Sequence, residues 1–430
     1  MPNRRQFVTG AAALPFLGAC ASASRSRVSP AMQREMYDRA LQIAETKIRG
    51  GIDHPVYKKP FVDAAFSESI FLWDTCFIAS YAKYHQDRLP IGQALDNFYD
   101  RQAPDGYICR EYTGAGEPFW PKDHPVAINP PLLAFAELEL HSVSGDRTRL
   151  EKNYAKLVQF HDFIRGTLRQ SDGLYISDAF GSGMDNVPRY PDGWEDDGQG
   201  IALTNLHPEI FVYDGLSPKW NRQGRSVDMS AQMVLFANDL AKIARLIGRE
   251  EDVSEWQAIA TETADAINEK CWNESDGFYY DLGYDQQIPR AHIGAYWMLL
   301  ADAVPQERLP KFLNALNDPA KFSRKLPTAT MPGDSDLFQS EGGYWRGSVW
   351  APTSYMVIRG LEAVGRPDMA RSMALRLYDA VAEVYLATGT FWENYAPDAF
   401  APGNESRPDF CGWSAIFPIT LWHEYVDQRT

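Results

Sequence analysis

The pattern that most constrains this chain lies in its middle. Met233, Ala237, Leu240, Ala244 and Ile247 recur at steps of four and three residues, the period of one helix face, and Gly248 follows as a C-cap residue. After a short turn, Ser254-Glu255-Trp256-Gln257 has the spacing of a capping box, and Trp256, Ile259, Ala260, Thr263 and Ile267 stripe a second helix. Asp228 is the expected N-cap of the first. Helical stretches of the same kind are expected at 32–48, 131–143, 150–168, 295–304, 307–316, 354–364, 368–384 and 414–426. Strand signals are few and short, the best being Gly277-Phe278-Tyr279-Tyr280-Asp281. Helices joined in pairs, with irregular Gly- and aromatic-rich loops between them, predict an all-α toroid of helical hairpins with a few short strands in the loops. No fixed-period self-similarity is visible, which argues against a solenoid.

The chain has 430 residues, 45 % of them hydrophobic and 13 % aromatic, ample for a buried core. No linker or shift in composition follows residue 30, so 31–430 reads as one catalytic domain. A net charge of −15, spread along the chain, argues against nucleic acid or an anionic membrane surface as partner. The first thirty residues read as an export signal and linker. The twin arginine Arg4-Arg5 precedes an apolar run, Gly10 to Ala19, too short to span a bilayer. Leu17-Gly18-Ala19-Cys20 has the form of a bacterial lipobox, which would leave Cys20 as a lipidated first residue. Ala21-Ser22-Ala23 also fits the cleavage site of an ordinary secreted protein. The expected location is the periplasm or the outer membrane, with attachment only through an N-terminal lipid. Cys76, Cys109, Cys271 and Cys411 are far apart and lack CxxC spacing, which speaks against zinc and for buried free thiols. No cofactor is expected, and no EF-hand-like loop supports a structural calcium. Nothing in the sequence signals an oligomeric state.

The chemistry is expected in the loops. Ser182-Gly183-Met184-Asp185-Asn186-Val187-Pro188-Arg189 places Asp185 among Gly, Pro, Met and Val, with Arg189 as a polar neighbour. An apolar surround raises a carboxyl pKa and keeps a proton available near neutrality, as a general acid requires. The plainer alternative is an Asp that caps a turn. In Phe71-Leu72-Trp73-Asp74, the indole can stack on a sugar's apolar face while the carboxylate accepts from two hydroxyls; a buried helix cap is the alternative. Asn129, before Pro130-Pro131, can reach a ligand hydroxyl, and Arg225 or Arg222 is placed to face a pocket. The stretch 342–352, GGYWRGSVWAP, cannot form a regular amphipathic element. Phe391-Trp392-Glu393-Asn394-Tyr395 offers a second carboxylate amid aromatics, and Phe410-Cys411-Gly412-Trp413-Ser414 places Gly and Trp at a helix start. Two separated acids in aromatic loops suit glycoside hydrolysis, in which one protonates the leaving oxygen and the other activates water or attacks. No Ser–His–Asp order, phosphate cradle or HExxH spacing is present.

As an ordered set, FLWD, DGYI, INPP, SGMDN, RSVDMSAQ, GGYWRGSVWAP, FWENY and CGWS resemble the six-hairpin (α/α)6-barrel glycosidases. The similarity is to glycoside hydrolase family 63 and its mannosylglycerate-hydrolase-like members, with the family 37 trehalases as relatives. It runs from about Phe71 to Trp422. The resemblance implies that Asp185 is the general acid and Glu393 the general base of an inverting attack on an α-linked sugar. Inversion implies carboxyls roughly 6.5–9.5 Å apart. It further implies that Trp73 and Asp74, with Phe71 and Gly183 of the same motifs, hold the sugar. Tyr344, Trp345, Gly347 and Trp350 would form an aromatic wall, and Trp413 would stack near the base. Arg225 matches a substrate-contacting arginine with spacing only approximately preserved. One departure is visible: Asn129 stands where relatives commonly carry Gln, which argues against trehalase activity in particular. The competing readings are a sugar epimerase or polysaccharide lyase on the same toroid, and a non-catalytic sugar-binding lipoprotein. The absence of His from the aromatic loops counts against the first, and the presence of both acids against the second.

Overall fold

In the computed structural model the described residues are 25–64, 67–120, 122, 128–177, 179, 181–189, 224–283, 286–410 and 412–427; the expected lipidation site Cys20 and the thiol Cys411 lie outside them. The order is α1 (Pro30–Thr46), β1 (Ile48–Arg49), β2 (Phe61–Val62), β3 (Ile70–Phe71), α2 (Leu72–Ala82), α3 (Ile91–Asp100), β4 (Glu111–Tyr112), α4 (Leu133–Ser144) and α5 (Thr148–Leu168). Then come β5 (Gly224–Arg225), α6 (Val227–Leu246), α7 (Glu250–Lys270), β6 (Trp272–Asn273), β7 (Phe278–Tyr279), β8 (Leu282–Gly283) and β9 (Gln286–Gln287). The chain ends with α8 (Trp297–Leu300), α9 (Leu309–Asn317), α10 (Ala351–Ala363) and α11 (Pro367–Thr388), followed by a 3-10 turn, Ser414–Ile416, and a π turn, Trp422–Val426.

Burial sorts these elements into two layers. Every residue of α2 is buried, as is every residue of α6 from 227 to 237 and of α10 from 351 to 358. A helix sealed on all sides belongs inside. By contrast α7 buries only one stripe, Val253, Trp256, Ala260, Thr263, Ala266 and Ile267, as an outer helix does. The inner elements pack in a closed ring: α2 on α4, α4 on α6, α6 on α8, α8 on α10, α10 on the Ser414–Ile416 turn, and that turn back on α2. Outer helices cover them, with α3 on α2, α5 on α4, α7 on α6 and α11 on α10. This is the (α/α)6 toroid. The strands are two-residue antiparallel pairings in the loops, β1 with β2, β3 with β4, β6 with β7, and β5–β8–β9. Among the described residues no helix is long and apolar enough to cross a membrane. Cys76, Cys109 and Cys271 are buried and free.

The helical pair read mid-chain is α6 and α7, and Gly248 adopts the left-handed backbone expected after a helix end. Three local expectations need correction. Asp228 is not an N-cap: Ser226 holds that position, and Asp228 lies in the first turn, paired with Arg189. Ser254 does not start a helix, because α7 already runs from Glu250, with Glu250, Glu251 and Asp252 placed against the positive end of its dipole. The stretch 414–426 is not one helix; Pro418 lacks the N–H that would continue it, so only short turns form. The FLWD segment, read as a loop, instead opens the inner helix α2. With every face buried, that helix shows no amphipathic period to find.

Candidate active site

Three carboxyls gather where the loops converge. Asp74 stands in the first turn of α2 and is buried; burial pushes its pKa up to about 8, partly offset by its own backbone N–H and by the Arg110 guanidinium, while Asp185 and Glu393 push it further up. Glu393 is raised to about 7, first by burial, against the lowering effect of Arg407, and with Asp185 adding to the rise. The Tyr344 hydroxyl is also held well above its ordinary pKa, by burial and then by Asp185, Glu393 and Asp74. All three acids therefore lie within electrostatic reach of one phenol.

The segment 342–350 is what brings the acid loops together. On one side, Asn186 grips it: its amide donates to the Gly343 carbonyl at 3.0 Å and its carbonyl accepts the Trp345 N–H at 2.6 Å. Arg346 donates to the Asn186 backbone carbonyl at 3.3 Å. On the other side, Val349 and Tyr395 exchange backbone hydrogen bonds at 2.8 and 3.0 Å, and Glu393 donates its N–H to Arg407. Asp185 and Glu393 are each one or two residues from these ties. Tyr344 itself sits at φ 58, a left-handed conformation that a bulky residue holds only when its surroundings impose it.

The aromatic residues take distinct places. Trp345 and Trp350 stack face to face at 3.9 Å and 2°, both buried, so their faces are given to each other. Tyr344 packs edge-on against Trp350 and is the half-buried ring of the group. Trp350 donates its indole N–H to the Tyr344 carbonyl at 3.2 Å. Trp413 lies against Trp350 and donates to the Glu393 carbonyl at 3.1 Å. Gly347 gives its N–H to Thr330, and a Cβ there would stand 2.5 Å from the Gln339 carbonyl oxygen. Gly183, at φ 77, lies against the Trp73 indole, where a Cβ would meet ring atoms at 3.2–3.3 Å. The SGMDN and FLWD motifs are thus in direct contact.

Other expected residues are placed less centrally. Phe71 precedes α2, opposite Glu111 in the β3–β4 pair. Asn129 is buried, its side-chain oxygen without a partner among the described residues; so is the Trp73 indole N–H. Arg225 is engaged by Asp172 at 2.7 Å. Two arginines that sequence reasoning passed over stand beside the acids. The Arg110 carbonyl accepts the Leu72 N–H at 2.8 Å, fixing that residue at the start of α2, and its guanidinium lies 5.3 Å over the Trp120 ring. It follows DGYI by two residues, a usable signal. Arg407 is brought beside Glu393 by the backbone pairing of 392–395 with 402–408.

Residues 68–411 match the model of the mannosylglycerate hydrolase MGH1-like glycoside hydrolase domain. The chain belongs to that family. It is a glycoside hydrolase of the family 63 type, which sets aside the epimerase, lyase and binding-protein readings. The mannosylglycerate hydrolase of Rubrobacter radiotolerans is 27 % identical over 415 residues, covering 81 % of this chain and 89 % of that one. The crystal structure of the family 63 mannosylglycerate hydrolase from Thermus thermophilus in complex with glucose superposes with a TM-score of 0.68 at 20 % identity, over 90 % of this chain and 100 % of that one. A periplasmic trehalase of Salmonella newport is 24 % identical over 291 residues, 60 % of this chain and 49 % of that one. Against that relative the chain spans about half the length.

Proposed function

We propose that this chain is an exported inverting α-glycosidase acting on a small α-linked glycoside or short oligosaccharide, with Asp185 as general acid and Glu393 as general base. The observation that carries this reading is the attachment of both acid loops to the single segment 342–350. A base poised near the working pH moves protons most effectively, and Glu393 at about 7 meets that requirement. Glu393 takes a proton from the attacking water while Asp185 gives one to the departing oxygen on the opposite side of the ring. Asp74, with a pKa of about 8, keeps its proton near neutrality in the free site and offers the sugar both a donor and an acceptor.

The substrate class follows from relatives named for mannosylglycerate hydrolysis, and the trehalase similarity is tempered by Asn129 at the Pro-Pro motif. Export rests on the twin arginine and lipobox pattern, with Cys20 as the lipidated residue, and accords with a periplasmic relative. No metal or other cofactor enters this mechanism.

The test is hydrolysis of a panel of α-linked disaccharides and α-glycosyl glycerates by the wild type, Asp185→Asn and Glu393→Gln. Each variant should lose about 10²–10⁴-fold in turnover while sugar binding stays measurable. Near-wild-type turnover by either variant would remove that residue from its role.

A further inference from the structure

Arg189 lies four residues beyond Asp185 in the same loop, yet its guanidinium is turned toward other carboxylates. It is 1 % exposed and grips two at once. Nη1 and Nη2 donate to the two oxygens of Asp228 at 2.9 and 2.7 Å, and Nε and Nη2 donate to the two oxygens of Asp281 at 2.8 and 3.1 Å. Both partners are fixed in turn. Asp228 sits in the first turn of the inner helix α6 and accepts the Met229 N–H at 2.8 Å. Asp281 joins β7 to β8, accepts the Val227 N–H at 2.8 Å and faces the His292 ring nitrogen at 3.2 Å.

We propose that Arg189 is a positioning residue for the general acid: it locks the exit of the Asp185 loop onto α6 and the β7–β8 link, and so sets where the Asp185 carboxyl stands. This rests on the proposed role of Asp185. The loop then has two anchors around the acid, Asn186 against the segment 342–350 and Arg189 in the interior. A planar fork bound to two carboxylates fixes direction as well as distance, which an apolar side chain or a lysine point charge does not. The arrangement has a second effect. A guanidinium paired with Asp185 would hold that carboxyl ionised and unable to donate a proton. Asp228 and Asp281 keep this cation occupied four residues away.

The test separates acid positioning from general damage. An α-glycosyl fluoride leaves without a proton, whereas the α-glycoside that the wild type cleaves best needs one. Arg189→Lys should lower kcat on the O-glycoside about 10²-fold, the scale of a misplaced reacting group, while kcat on the fluoride stays within about threefold and KM on both is little changed. Thermal unfolding and circular dichroism confirm that the variant is folded. Equal loss on both substrates in a folded protein, or no loss on either, overturns the proposal. Should Arg189→Lys not fold, Asp228→Asn is measured in its place with the same split expected and the same results overturning it. Asp185→Asn, run alongside, shows the split if Asp185 is the acid. A split there without one at Arg189 rejects this inference alone, and no split at Asp185 rejects the acid assignment itself.

Discussion

The indole N–H of Trp413 donates to the backbone carbonyl of Glu393 at 3.1 Å, inside the fold, with 7 % of the tryptophan exposed. The contact is to the main chain of the proposed base, so Trp413 holds the backbone from which that carboxyl extends. Trp413→Phe keeps the ring and deletes the donor. A buried carbonyl left without its partner costs about 1–3 kcal/mol. We expect kcat to fall about tenfold, with KM nearly unchanged, because the base is displaced while the sugar contacts remain. A rise in KM at constant kcat would instead make Trp413 a sugar-stacking residue and no more.

Asn186 closes the other side of the site with two side-chain hydrogen bonds, to the Gly343 carbonyl and from the Trp345 N–H, and its backbone carbonyl accepts a third from Arg346. Asn186→Ala removes the two side-chain bonds of this clasp, around Tyr344, and keeps the backbone one. It should lower stability by about 1–3 kcal/mol in denaturant unfolding and reduce kcat more than it raises KM. Unchanged kinetics would show that Arg189 and the backbone contact to Arg346 are enough to place the loop.

Much of this arrangement is legible in the amino-acid sequence. The stripes of α6 and α7 show the hairpin, and the order of the Gly- and Trp-rich motifs points to the toroid and its family. What could not be read has common physical causes. The all-buried helix α2 has no polar face, so no period betrays it. The stacking of Trp345 on Trp350 comes with a left-handed Tyr344 just after two glycines, which local propensity does not foretell. Arg407 carries no motif and reaches Glu393 through a backbone pairing. Arg189 was visible as a neighbour of Asp185, but its partners come from 39 and 92 residues further along.

The pH profile should report Glu393. Its folded-state pKa is about 7, so kcat/KM should fall as pH drops through that value and the base takes up a proton. Arg407 opposes the rise, since a cation favours the carboxylate. Arg407→Gln should therefore move this limb to higher pH. A limb that stays in place would separate Arg407 from the base.

Asp74 and Glu393 make the fold depend on pH in a defined direction. Both are raised above ordinary carboxyl values, so the stability tied to their neutral forms is full below about pH 4 and is lost as pH rises through about 7 and 8. Asp74→Asn is neutral throughout. It should be more stable than the wild type at pH 9, by on the order of 3 kcal/mol, and gain little at pH 4, while losing activity. Thermal unfolding at the two pH values checks this; no gain at pH 9 would contradict a buried, charge-averse Asp74.

The most direct test of the central claim is proton NMR of the products in the first minutes of reaction on an α-glycoside that the protein cleaves. Inversion, with Glu393 activating water, predicts that the β-anomer appears first and the α-anomer only later by mutarotation. Initial release of the α-anomer would mean retention, and the water-activating role of Glu393 would fall.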